Sequence, residues 1–214
     1  MTEGSRNLTI KSDAFGSLKY EFTQKLDKQV VYKLNRILPR DIAVHTLTEV
    51  SEEAHARFSA VEREYRYYIE QRKNPFTVGQ TWHYAVALDV ERMNLEAMNR
   101  AAEVLLQEED FTTFAKLNSN NKTNICHLTV ARWEVEADGT LCFTIRGDRF
   151  LRNMVRSIVG TLVDVGRGRY SVEMFREIVL SCDLSRASGG APAEGLYLSD
   201  VSYPTPLFER NTFY

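Results

Sequence analysis

The chain has 214 residues and a formal charge of −2, with 43% hydrophobic and 26% charged side chains. That is enough for one large or two small folded domains, and it excludes disordered and collagen-like classes. No apolar run approaches the ~18–20 residues of a membrane-spanning helix, and Met1–Ile10 is too polar for a signal peptide.

Residues 1–22 show no clear periodicity. After Asp27 the apolar set Val30, Val31, Leu34, Ile37 and Leu38 has helical spacing, and Pro39 ends that helix. Ile42 to Val50 reads as a strand. Tyr65 to Glu70 reads as another, with Tyr65, Tyr67 and Ile69 on one face and Arg66 and Tyr68 on the other. Arg72-Lys73-Asn74-Pro75 marks a lobe boundary. Asp89 is placed to cap a helix carrying Leu95, Met98, Ala102 and Leu105.

Thr123 to Glu136 and Thr140 to Arg146 form two strands joined at Asp138-Gly139, a strong hairpin signal. A long helix is expected from Arg149 to about Val165, ended by Gly166-Arg167-Gly168. Ser171 caps another with Phe175, Ile178 and Val179, after which Ser188-Gly189-Gly190 is a loop. Leu196 to Tyr203 makes a final strand before Pro204. The pattern predicts an α+β fold with a mainly antiparallel sheet and helices on one face.

Total charge is a poor guide to partners, because the charge is unevenly spread. Residues 116–170 carry nine basic and five acidic side chains, a local +4, whereas residues 76–115 carry two and seven, a local −5. From Thr123 onward there are ten Arg and no Lys. Guanidinium is a planar, bidentate donor suited to phosphate and stacked bases.

On the expected helix, with Arg149 taken as zero, Phe150, Leu151, Met154, Val155, Ile158, Val159 and Leu162 fall between about 100° and 280°. Arg149, Arg152, Asn153, Arg156 and Gly160 form the opposite stripe, where Gly160 would admit another chain. The stripe is either a solvated face or an anion site. It has no acidic partner before Asp164, and with Arg146 just upstream it would suit a phosphate backbone or a buried carboxylate.

Tyr65, Tyr67 and Tyr68 suit sheet packing, though a Tyr beside an Arg can also stack on a base or accept a proton. Cys126 and His127 are adjacent on a strand and so point apart, which excludes a Cys–His dyad between them. No CxxC or HxxxH spacing is present, so no metal site is expected, and no GxGxxG or P-loop supports a nucleotide cofactor. Cys126, Cys142 and Cys182 are odd in number and widely spaced, which argues against a disulfide framework and fits a reducing cytosol.

Several stretches in one order, from about Val31 to Pro204, resemble the TruA-type tRNA pseudouridine synthases. They are Leu34-Asn35-Arg36-Ile37-Leu38-Pro39 with Asp41-Ile42-Ala43-Val44, His55-Ala56-Arg57-Phe58-Ser59-Ala60, and Arg63 through Tyr67. Asp110-Phe111-Thr112-Thr113-Phe114, Phe150 through Gly160 and Glu194-Gly195-Leu196-Tyr197-Leu198 follow. The resemblance implies isomerisation of uridine to pseudouridine in the anticodon stem-loop of tRNA. It also implies a homodimer with no cofactor, acting on a flipped-out base. The lack of metal-ligand spacing and of a membrane-length apolar run, with the cysteine usage, adds the expectation of no metal, no membrane and a cytoplasmic setting.

By the same resemblance Tyr65 stacks on the target base and is a candidate for removing the C5 proton. Arg156 pairs with a nucleophilic Asp carboxylate, and Arg149 and Arg152 are left to bind RNA phosphate. The family's Gly-Arg-Thr-Asp-Ala-Gly-Val-His motif, which carries that Asp, is absent from this sequence. Its nearest echo is Lys11-Ser12-Asp13-Ala14, which Phe15-Gly16-Ser17 does not continue, so the nucleophilic Asp is either missing or replaced by Asp13. The chain therefore reads as N-terminally truncated: 1–72 the remnant of a catalytic lobe, 73–204 a C-terminal α+β lobe, and 205–214 a tail. It is either an active synthase or a catalytically inactive tRNA-binding or dimerisation domain of that family.

Overall fold

Alternating side chains over Glu62–Glu70 build the strand that organises the larger of two units in the chain. The computed structural model describes residues 9–12, 18–21, 29–48, 50–70, 72–84, 93–116, 122–204 and 212–213. One unit comprises residues 1–60 with 203–214, and the other residues 61–202. By this division the Arg72–Pro75 segment lies inside the second unit, because the strand before it pairs with strands from the far end of the chain.

In the first unit, β1 (Thr9–Ser12) and β2 (Leu18–Glu21) pair antiparallel. The expected helix is present as α1 (Val30–Ile37), with Val31 and Leu34 buried and Ile37 exposed at its end. The strand expected over Ile42–Val50 shrinks to β3 (Leu47–Thr48), which pairs antiparallel with β9 (Thr212–Phe213). Asn35 explains the shortfall. Its side chain donates to the Val44 carbonyl and accepts from the Val44 N–H, both at 2.7 Å, so a side chain takes the backbone bonds a strand partner would use.

The second unit holds β4 (Glu62–Glu70), β5 (Trp82–His83), β6 (Leu128–Val135), β7 (Leu141–Gly147) and β8 (Leu196–Ser202). The order is β5-β4-β7-β6, with β8 also pairing β4; only the short β4–β5 contact is parallel. The hairpin at Asp138-Gly139 forms as expected, with Gly139 at φ 88°, in the left-handed region that glycine tolerates best. β6 starts only at Leu128, later than the Thr123 expected, after an isolated bridge between Asp110 and Ile125.

Tyr67, Phe143 and Trp133 sit side by side across β4, β7 and β6, with the Trp133 and Phe143 rings 4.9 Å apart. They face α2 (Leu95–Val104), α3 (Met154–Gly166) and α4 (Val172–Leu180), which supply Met98, Ile158, Leu162 and Phe175 to the same buried core. This is the α+β arrangement, a mainly antiparallel sheet packed against helices. Ser171 caps α4 by accepting from the Met174 N–H. α2 is capped by Asn94, which accepts from Ala97, and not by Asp89, which lies outside the described residues.

The reverse face of the sheet is polar. Arg146 on β7 donates to Glu64 on β4 at 2.8 Å and lies 3.4 Å from Asp200 on β8 and 3.5 Å from Glu62. The guanidinium expected to join the anion-seeking set is therefore committed to three carboxylates of its own sheet.

Candidate active site

Period-2 alternation places Arg63, Tyr65 and Tyr67 on the helix-facing side of β4. Tyr65 is half-buried, with its ring edge-on to Phe150 at 5.0 Å and 81°. Two residues earlier, Arg63 Nη1 donates to the Asp148 carbonyl at 2.6 Å. Two residues later, the fully buried Tyr67 donates its hydroxyl to the Pro192 carbonyl at 2.7 Å. Burial pushes the Tyr67 phenol far up, which keeps it neutral and a donor, although the nearby Arg156 charge pulls the other way.

The expected helix starts late. α3 begins at Met154, and Asn153, which precedes it, sits at φ 68° in the left-handed region. Asp148, at the start of this lead-in, is held instead by partners distant in sequence. The His127 N–H donates to Asp148 Oδ1 at 2.8 Å, the Asp148 N–H returns to the His127 carbonyl at 3.0 Å, and Arg63 takes the Asp148 carbonyl. The arginine stripe of an unbroken helix therefore does not form. Arg149 lies in the lead-in, with Nη1 3.4 Å from the Ile125 carbonyl, and Arg152 is exposed with no bond to any described residue.

Arg156 and Gly160 do share one face of α3, but that face is covered by the chain's own loop. Ser188 Oγ donates to Asp164 at 2.6 Å, the Ser188 N–H donates to Thr161 Oγ1 at 3.2 Å, and the Ala191 N–H donates to the Arg156 carbonyl at 2.9 Å. A Cβ on Gly160 would stand 2.2 Å from the Gly189 carbonyl oxygen. The close approach expected at Gly160 is thus made by Ser188–Ala191 of the same chain. Asp164, shared with Arg167 and Arg169, anchors the far end of this strap.

Every residue of α3 is buried except Arg156, which is partly exposed. Its Nε donates to the Ala191 carbonyl at 2.5 Å. Its terminal N–H groups make no hydrogen bond or ion pair with a described residue. One nitrogen is pinned and the fork is left open. Such a guanidinium is oriented before an anion arrives, so less rotamer freedom is lost on binding.

Other chemistries find little support in the described residues. Burial pushes the Cys126 thiol up to about 11, and burial also raises Cys142, so neither forms a ready thiolate. Exposed Cys182 is likewise raised, by burial of its thiol and by Asp110. No group of three metal-ligating side chains occurs among the described residues.

Residues 101–204 match the family model described as tRNA pseudouridine synthase. The chain is 49% identical over 176 residues to tRNA pseudouridine synthase A of Parabacteroides distasonis, covering 82% of this chain and 68% of that relative. It is 47% identical over 185 residues to the protein of that name from Bacteroides thetaiotaomicron, covering 86% and 67%. A third, from Acetivibrio thermocellus, is 41% identical over 174 residues, covering 80% and 69%. The chain belongs to the tRNA pseudouridine synthase A family.

As a member of the tRNA pseudouridine synthase A family, the chain has its candidate residues on β4 and at the start of α3. Tyr65 and Arg156 both border the region around Tyr67, Phe150 and the Ser188–Ala191 strap. Arg149 and Arg152 sit on the lead-in to α3, not on the helix. Asp13 lies outside the described residues. Helical periodicity gives Phe150 only a core position, and strand alternation by itself gives Arg63 no role. The signal for Arg63 was present, since it stands two residues from Tyr65 on the same strand face.

Proposed function

We propose that this chain acts as a tRNA pseudouridine synthase, isomerising uridine to pseudouridine in the anticodon stem-loop. The observation that carries the reading is Arg156, a half-buried guanidinium pinned through Nε with its terminal N–H groups uncommitted. Such a group keeps a nearby carboxylate ionised, and an Asp buried without a cation would stay protonated and attack poorly.

Arg156 holds the nucleophilic carboxylate that the family carries in its Gly-Arg-Thr-Asp motif, of which Lys11-Ser12-Asp13-Ala14 is the nearest echo in this sequence. The carboxylate attacks the nucleoside and the glycosidic C–N bond breaks. The uracil rotates and C5 bonds to C1′ as the bond between C1′ and the carboxylate oxygen breaks, returning the electron pair to the Asp. The C5 proton leaves and N1 takes one up, so atoms and electrons balance without an oxidant, reductant or cofactor. Tyr65 stacks on the flipped base and stands as candidate acceptor for the C5 proton, with Phe150 setting its ring plane. Arg149 and Arg152 bind phosphate, supported by the exposure of Arg152 and the loose 3.4 Å contact of Arg149. A tRNA substrate goes with the homodimer that the family resemblance implies and with the cytoplasmic setting expected from the cysteines.

The test is incubation of the 214-residue chain with unmodified tRNA, followed by measurement of pseudouridine in the anticodon arm. Product that disappears in Asp13→Ala and Arg156→Ala supports the assignment. Salt-sensitive tRNA binding without product would instead make this chain a tRNA-binding or dimerisation domain.

A further inference from the structure

The segment between β4 and β5 is held in one shape by a single carboxylate. Glu70, the last residue of β4, accepts from Asn74 Nδ2 at 2.9 Å, from Thr81 Oγ1 at 2.9 Å and from Thr77 Oγ1. Burial works against the Glu70 charge, but the hydrogen bonds from Thr77, Asn74 and Thr81 outweigh it and hold the carboxyl below its usual range. Asn74 Oδ1 accepts the Phe76 N–H at 3.1 Å, and the Gln80 N–H donates to the Thr77 carbonyl at 2.9 Å. The far end is tied to β8, where Tyr197 donates its hydroxyl to the Gln80 carbonyl at 2.6 Å.

This ordered loop leaves its apolar side chains in water. Phe76 is 89% exposed and Val78 77%, the two most exposed large apolar side chains among the described residues. Arg72 and Lys73, just before them, are exposed and make no ion pair with any described residue. From Arg72 to Trp82 there is no Asp or Glu. A loop fixed by a carboxylate yet presenting an aromatic ring and two cations is pre-shaped for a partner rather than for its own core.

We infer that Arg72–Gln80 is an RNA-contacting loop, with Phe76 stacking on an unpaired base and Arg72 and Lys73 on the adjoining phosphates. The inference rests on tRNA being the substrate. The cations favour a polyanion over a protein surface, and an exposed aromatic among cations is the usual composition of a single-strand stacking platform. The loop leaves β4 five residues beyond Tyr65, about 17 Å along the strand. It would therefore grip RNA away from the reacting nucleotide, adding to grip more than to chemistry.

The experiment measures binding of unmodified tRNA transcript to the full chain across a salt series, in the parent, Phe76→Ala, Phe76→Trp and Arg72→Ala/Lys73→Ala. Phe76→Ala is expected to weaken Kd about ten-fold, while Phe76→Trp retains affinity and its fluorescence is quenched by tRNA. The double variant is expected to lower the salt slope by about 2. Parental affinity in Phe76→Ala overturns the inference, as does a parent that binds no tRNA. So does a Phe76→Ala chain whose only change is a shift in sedimentation, which would make the loop a protein contact. Absence of pseudouridine with tRNA binding intact would sink the catalytic reading alone and leave this one standing.

Discussion

Arg156 and Ala191 bond to each other twice: Arg156 Nε donates to the Ala191 carbonyl at 2.5 Å, and the Ala191 N–H donates to the Arg156 carbonyl at 2.9 Å. The pair links the first turn of α3 to the strap that lies over it, and it aims the only side chain of that helix that is not buried.

Because one nitrogen of Arg156 is committed and the terminal N–H groups are open, charge alone is not enough at this position. Arg156→Lys keeps the cation but cannot reproduce the fork. Pseudouridine formation is expected to fall on the order of 100-fold in kcat for Arg156→Ala, with partial recovery in the Lys variant. Single-turnover rates on unmodified tRNA would check this, and an effect confined to KM would contradict the assignment.

The strap needs the missing side chain of Gly160. A Cβ there meets the Gly189 carbonyl oxygen at 2.2 Å, whereas a Cβ on Gly189 meets nothing within 4 Å. Gly160→Ala is expected to destabilise by about 2 kcal/mol despite its better helix propensity. It should also lower turnover by displacing Ala191. Gly189→Ala should leave both nearly unchanged. Thermal melts paired with turnover assays separate the two outcomes.

Glu64 predicts an acid-side weakness. Burial alone would raise its pKa, but hydrogen bonds from Ser199, Arg146 and Arg66 outweigh that and lower it. The stabilising contribution is therefore complete above the unfolded value of about 4.3 and is lost as pH falls through the lower folded value. Glu64→Gln should cost about 1–3 kcal/mol at neutral pH. Its Tm curve should approach the parent's as the pH drops below about 4. Parallel Tm curves down to acid pH would show that Glu64 is not the titrating group.

Arginines that look alike in sequence should separate in a salt titration. Arg152→Ala and Arg149→Ala are expected to weaken tRNA binding and lower the salt slope by about 1 each. Arg146 is already paired with Glu64, Glu62 and Asp200. Its Ala variant should lose stability and leave the slope unchanged. A lowered slope in Arg146→Ala would mean those carboxylates release it to RNA.

Features set by neighbours in sequence were readable before any coordinates. The period-2 run at Tyr65–Glu70, the Asp138-Gly139 turn, the Ser171 cap and the apolar spacing of α1 each follow from bonds or burial within a few residues. The resemblance to pseudouridine synthases was readable too, because it rests on residue order.

The Arg149–Gly160 stripe was not readable, because its outcome is decided by distant partners. Helical periodicity runs unbroken through Arg149–Asn153, yet Arg63 and His127 claim the Asp148 backbone and Asn153 turns left-handed before α3 can start. The face that the sequence presents as open is closed by Ser188–Ala191, about thirty residues downstream. Sequence by itself determined β4, the β6–β7 hairpin, α1, α4 and the family, since periodicity, capping and motif order are local or linear. Only the tertiary structure decided which arginines remain uncommitted, because a guanidinium is satisfied by whichever carbonyl or carboxylate the fold brings to it.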